Sequence, residues 1–177
     1  SAATIMDYLP EYVNPAGKYT SYNNFGTAIL GIIVEDITGQ TMPDYLKQTI
    51  FDPLEMNDTY LNESSQASDD VGAPYAFAPN GDPVKFPHRM VHPFYGVTGG
   101  INSTAIDMAK YMTAHLDEGR TAEKPLMSEQ IFKLMHTQIR TNHPLSSGFA
   151  MIFFIWDWNG TKMFLHGGNW PGSQSGM

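Results

Sequence analysis

Asn159-Gly160 lies between two apolar runs, Phe149 to Trp158 and Lys162 to His166, and this pairing restricts the fold more than any other local feature. Asn-Gly takes up the left-handed backbone that a two-residue hairpin turn needs, and the twist of that turn matches its strands. Residues 149–177 therefore read as antiparallel β-structure. Upstream the pattern is helical. Phe25 to Ile37 carries Ala28, Leu30, Ile32, Ile33, Val34 and Ile37 nearly all round, which predicts a buried helix with Gly39 as its left-handed stop. Thr41-Met42-Pro43-Asp44 opens a second helix, whose positions Tyr45, Leu46, Ile50 and Phe51 keep a helical spacing. Asn102-Ser103-Thr104 starts a helix over 104–117, and Ser128-Glu129 caps one over 128–137. A short helix is also expected from Thr4 to Leu9. The fold class is α+β, with a helical region over 1–148 and strands over 149–177. Within the first, 57–98 is rich in Asn, Asp, Ser, Gly and Pro and reads as a long irregular connection, of the kind that lines functional sites.

Composition excludes several functions. The 177 residues suffice for one domain with a core. The formal net charge of −8 and the lack of a basic patch argue against nucleic acid as a partner. With no cysteine there is no disulfide, thiolate metal site or cysteine nucleophile. The longest apolar run, Phe149 to Trp156, is too short for a membrane span, which needs about 20 residues. Ser1-Ala2-Ala3 does not begin a signal peptide. His88 and His92 have metal-like spacing, but Pro87 and Pro93 bracket them, so no metal or other cofactor is expected.

Two short stretches carry side chains suited to chemistry. In Tyr22-Asn23-Asn24 the local reading is a half-buried aromatic followed by Asn24 as helix cap. The functional reading gives Tyr22 as a proton acceptor, which requires nearby cations to favour phenolate, and Asn24 as a hydrogen-bond partner for a substrate amide. His166-Gly167-Gly168 reads locally as a turn after a strand. Functionally, Gly167 and Gly168 clear a strand edge for a substrate backbone, the Asn169 N–H becomes an oxyanion donor, and His166 offers charge or a hydrogen bond to Tyr22.

Tyr19 to Gly26, continuing through Ala28 to Glu35 and Thr38-Gly39, resembles the second-motif region of the serine β-lactamase-like family of class C β-lactamases, D,D-peptidases and esterases. Ile50 to Thr59, and Gly99 to Ala105 with Asp107-Met108-Ala109, continue the likeness. His166-Gly167-Gly168 with Pro171-Gly172 resembles the third motif, where members carry Lys-Thr-Gly or His-x-Gly. The resemblance implies a β-lactamase/transpeptidase-like fold, here incomplete, with a hairpin of its central sheet. It implies acyl-enzyme chemistry on a small-molecule or peptide-like amide, β-lactam or ester, in an exported, periplasmic or extracellular setting. Tyr22 and His166 become catalytic residues, and Asn24, Gly167, Gly168 and Asn169 substrate-binding ones. The family nucleophile lies in Ser-x-x-Lys, and no Ser in this chain stands three residues before a Lys. The sequence thus reads as an internal fragment of a longer hydrolase, inactive alone, with self-association through unpaired sheet edges as a consequence. The alternative is a non-catalytic binding module that keeps the cleft.

Overall fold

The computed structural model describes residues 11, 14–61, 72–85, 93–121, 124–170 and 172–177. The helix expected from Thr4 to Leu9 and the pair His88 and His92 lie outside them. Helix α1 spans Asn24–Thr38 and stops where Gly39, at φ 68°, turns its N–H back onto the Glu35 carbonyl at 2.8 Å. The expectation of a helix buried all round fails. Only Ala28 and Gly31 are buried, while Leu30, Ile33 and Ile37 are 59%, 40% and 79% exposed. The helix meets the start of the next helix, where the Met42 N–H donates to Glu35 at 2.8 Å, and also packs on residues 93–99. The contact is close because Gly31 has no side chain: a Cβ there would stand 2.9 Å from Val97 Cγ1.

Thr41 caps α2 (Met42–Leu46), its hydroxyl accepting from the Asp44 N–H, and the chain widens into a π-helical turn over Lys47–Phe51. The stretch 57–98 is less irregular than its composition predicts. It holds β1 (Tyr60–Leu61), the hairpin of β2 (Tyr75–Phe77) and β3 (Pro83–Lys85), a 3₁₀ turn over Pro93–Tyr95, and α3 (Gly96–Gly99). Pieces of two to four residues are too short to carry a readable period. β4 (Ile101–Asn102) pairs antiparallel with β1 and leads into α4 (Ala105–Leu116), capped by the Thr104 hydroxyl. Asp107 is 1% exposed, the most completely buried large side chain among the described residues. Its Oδ2 accepts from the Asp58 N–H and the Thr59 hydroxyl, both at 2.9 Å, and its Oδ1 faces Lys110 Nζ at 3.1 Å. Burial alone would raise the Asp107 pKa, but these hydrogen bonds and the Lys110 charge outweigh it and hold the carboxyl below its ordinary value.

Ser128 caps α5 (Glu129–Met135), its hydroxyl accepting from the Ile131 N–H. The single long strand expected from Phe149 to Trp158 is two strands. β5 (Gly148–Phe149) reverses at Ala150–Phe153 and returns as β6 (Phe154–Trp158), with Phe149 opposite Phe154. No Gly, Pro, Asn or Asp marks that reversal, so the apolar pattern runs through it unbroken. The Asn159-Gly160 turn does join β6 to β7 (Thr161–Leu165), in the register Trp158 to Thr161. A further hairpin, β8 (Gly167–Trp170) with β9 (Ser173–Gly176), completes the described strands.

The sheet meets α4 and α5 through rings. Ala150, Phe153 and Ile155 form a buried cluster with Phe164 and Met177 against it. His136 lies 5.6 Å from the Phe153 ring and 4.9 Å from that of Phe164, and His115 lies 5.2 Å from Phe153. His136 Nδ1 stands 2.9 Å from the Phe132 carbonyl, which can only accept, so Nδ1 carries a proton. His136 Nε2 and His115 Nδ1 face each other at 3.1 Å. Burial and the facing His136 push the His115 imidazole down from 6.5 to about 4. A depressed folded pKa means that the unfolded chain takes up the proton first as pH falls. Stability should thus be full above pH 6.5 and decline from there to about 4. In thermal melts His115→Phe should show a smaller decline than the wild type across that window. An identical decline in both would exclude His115 as its source.

Candidate functional site

Residues 18–23 enter α1 as a mostly exposed stretch outside any helix or sheet. Asn23 is extended (φ −146°, ψ 104°) and its Oδ1 accepts the Gly26 N–H at 3.1 Å. The helix cap is therefore Asn23 and not Asn24, which is the first helical residue. The Asn24 carboxamide is exposed and makes no hydrogen bond to other described residues, so the group assigned to substrate is free for it.

Tyr22 is 57% exposed, more open than the half-buried aromatic expected. Its ring lies 6.0 Å from that of His166 and 6.2 Å from that of Phe154, stacked on the latter at 16° between planes. Phe154 and His166 are 5.8 Å apart, which closes a triangle of rings. The two stretches singled out in the sequence thus meet, through a phenylalanine that the sequence reading passed over. The hairpin register held the signal: the Asn159-Gly160 turn sets Phe154 opposite Leu165, one residue before His166.

His166 is half-buried where β7 passes into β8. It exchanges both backbone hydrogen bonds with Met177, at 3.3 and 3.1 Å. In an antiparallel ladder such pairs alternate with pairs that make no mutual bond. In the register Gly167 to Gly176 and Asn169 to Gln174, the N–H groups of Gly167 and Asn169 therefore point away from β9, toward its other edge. The Asn169 N–H is thus not spent on pairing with β9. At Gly168 a Cβ would stand 2.6 Å from Ser175 Oγ. An open depression of about 690 Å³ runs beside Gly167, walled by Phe149, Phe154 and Trp156.

Arg140 and Asn142 also reach the site, and nothing local in the sequence marks them. The Thr20 N–H donates to Asn142 Oδ1 at 2.8 Å, Asn142 Nδ2 donates to the Thr20 carbonyl at 2.9 Å, and Arg140 Nη2 donates to the Lys18 carbonyl at 3.1 Å. Thr121, the first residue of a Thr-x-x-Lys, is engaged in its own turn, accepting from the Lys124 N–H and donating to the Lys124 carbonyl. Among the described residues no group of three His, Asp or Glu could hold a metal, and no helix is long and apolar enough to cross a membrane.

The β-lactamase family model matches residues 8–177. Penicillin-binding protein 4 of Amycolatopsis lactamdurans is 28% identical over 160 residues, covering 87% of this chain and 42% of that protein. The octameric penicillin-binding protein homologue from Pyrococcus abyssi superposes with a TM-score of 0.74 at 26% identity, over 89% of this chain and 35% of the other. A D-amino acid amidase from Ochrobactrum anthropi shares the fold, with a TM-score of 0.68 at 23% identity over 87% of this chain and 46% of its own. The chain spans less than half the length of each.

The division of labour between the two asparagines is measurable. Asn23→Ala should cost about 1 kcal/mol of stability, the usual value of a helix cap. Asn24→Ala should stay within about 0.5 kcal/mol, as exposed substitutions do. Chemical denaturation decides, and equal losses would return the cap to both residues.

Proposed function

The chain belongs to the β-lactamase family, and from that premise we propose that it forms part of a serine hydrolase acting through an acyl-enzyme on amide, β-lactam or ester bonds. The observation that carries the reading is the meeting of Tyr22 with His166, rings 6.0 Å apart, beside an edge with outward N–H groups. A serine supplied from outside these 177 residues attacks the carbonyl, and Tyr22 takes its proton and later returns one to the leaving group. His166, its ring beside that of Tyr22, offers a hydrogen-bond partner to the phenol during that transfer. Asn24 orients the substrate amide, and the Asn169 N–H supports the oxyanion, a type of contact worth about 3 kcal/mol. The reading brings with it an exported location, periplasmic or extracellular.

The sequence holds no Ser three residues ahead of a Lys, and that favours a second reading, a binding module that keeps the cleft without turnover. Intact-mass measurement with a fluorescent penicillin separates the two. The complete protein should form a covalent adduct or hydrolyse an ester, and Tyr22→Phe should slow either by a factor of about 10² to 10⁴. The 177-residue chain by itself should form none, since losing a nucleophile removes a factor on the order of 10⁶ in kcat. Neither adduct nor ester hydrolysis in the complete protein would leave only the binding module.

We also propose that the chain self-associates through unpaired edges of its small sheets. Light scattering should show mass rising with concentration, and a monomer throughout would refute this.

A further inference from the structure

The stretch that delivers Tyr22 belongs to no helix or sheet, yet its backbone is held at Thr20. A carboxamide offers one donor and one acceptor at the spacing of a peptide unit, and Asn142 uses both on Thr20, at 2.8 and 2.9 Å. Only one orientation of that carboxamide satisfies both bonds. The loop carrying Asn142 is itself rooted in the sheet: the Phe149 N–H donates to the Arg140 carbonyl at 2.8 Å, and the Arg140 N–H to the Phe149 carbonyl at 3.3 Å. Phe149 packs on Phe154 at 5.1 Å, and Phe154 stacks on Tyr22. The contacts form a closed ring, from Thr20 through Asn142, Arg140, Phe149 and Phe154 back to Tyr22.

We propose that Asn142 is a positioning residue: standing in for a β-strand partner at Thr20, it sets where the Tyr22 phenol lies relative to His166. This rests on the acyl-transfer reading, in which Tyr22 moves the proton. Ring stacking fixes the plane in which Tyr22 lies but lets it slide. The cap at Asn23 fixes the start of α1 but acts on the far side of Tyr22. The pair of bonds at Thr20 adds a restraint two residues upstream, nearer to Tyr22 than the Arg140 bond to the Lys18 carbonyl. A shift of about 1 Å in a catalytic group costs up to about 100-fold in rate.

The first test uses this chain. In NMR spectra Asn142→Ala should lose the ring-to-ring cross-peaks between Tyr22 and His166, keep those between Phe149 and Phe154, and melt within a few degrees of the wild type. Tyr22 cross-peaks of wild-type intensity would overturn the inference. Should Asn142→Ala fail to fold, Asn142→Asp keeps the size and the acceptor but cannot donate to the Thr20 carbonyl, and the same cross-peaks decide. The second test is a double-mutant cycle in the complete protein. Asn142→Ala should lower the acylation rate on the order of 10- to 100-fold with KM little changed, and should do nothing further in a Tyr22→Phe background. Equal losses in both backgrounds would overturn this inference alone, whereas no loss from Tyr22→Phe itself would overturn the reading on which it rests.

Discussion

A buried carboxylate holds the helical part of this chain together. Asp107 collects the Asp58 N–H, the Thr59 hydroxyl and Lys110 on its two oxygens. The Thr59 hydroxyl lies 2.7 Å from that of Ser103, so the same node fixes β1 beside β4. β4 follows directly on α3, and α3 is the element on which Gly31 lets α1 settle. The position of Asn24, at the head of α1, is thus inherited from a hydrogen-bond network well away from it. Such a network suits this task better than apolar packing would. Few large side chains among the described residues are fully buried, and a carboxylate with defined acceptor directions fixes register there.

The site depends on a second and separate set of restraints. Tyr22 and Asn24 arrive from the helical part, and His166 and Asn169 from the strands. Two kinds of contact join the parts at this point: the rings of Tyr22, Phe154 and His166, and side-chain hydrogen bonds from Asn142 and Arg140 to the backbone of Thr20 and Lys18. Both are weak individually, since stacked rings contribute on the order of 1 kcal/mol and exposed hydrogen bonds a similar amount. Their value lies in acting on different groups. One restrains the ring and the other the backbone that carries it.

What the sequence made legible follows the range of each interaction. Caps and turns were readable because Thr41, Thr104, Ser128 and Gly39 act within four residues, and Asn159-Gly160 encodes its own turn. The β-lactamase-like fold was readable from motifs in order along the chain, and the family match bears it out. The reversal at Ala150–Phe153 was not readable, because it is built by pairing Phe149 with Phe154 and not by turn residues. The exposure of α1 was hidden for another reason. An apolar pattern reports the burial a helix is suited to, and Leu30 and Ile37 are exposed among the described residues all the same. Asn142 was invisible because its partner is remote in sequence and any loop asparagine looks alike.

Tyr22-Asn23-Asn24 looked like a choice between a helix cap and a pair of functional side chains, and the geometry removes the choice. Asn23 is extended, the backbone that a helix cap takes up. Capping by the middle residue turns its own side chain inward to the Gly26 N–H and leaves its two neighbours unengaged by the helix. The middle position therefore needs a good cap and nothing more. Asn is among the strongest of caps, so Asn23 fills this position without engaging Tyr22 or Asn24. The cap is the device that presents the other two residues, and a cap that failed would let the first turn of α1 fray and both side chains drift.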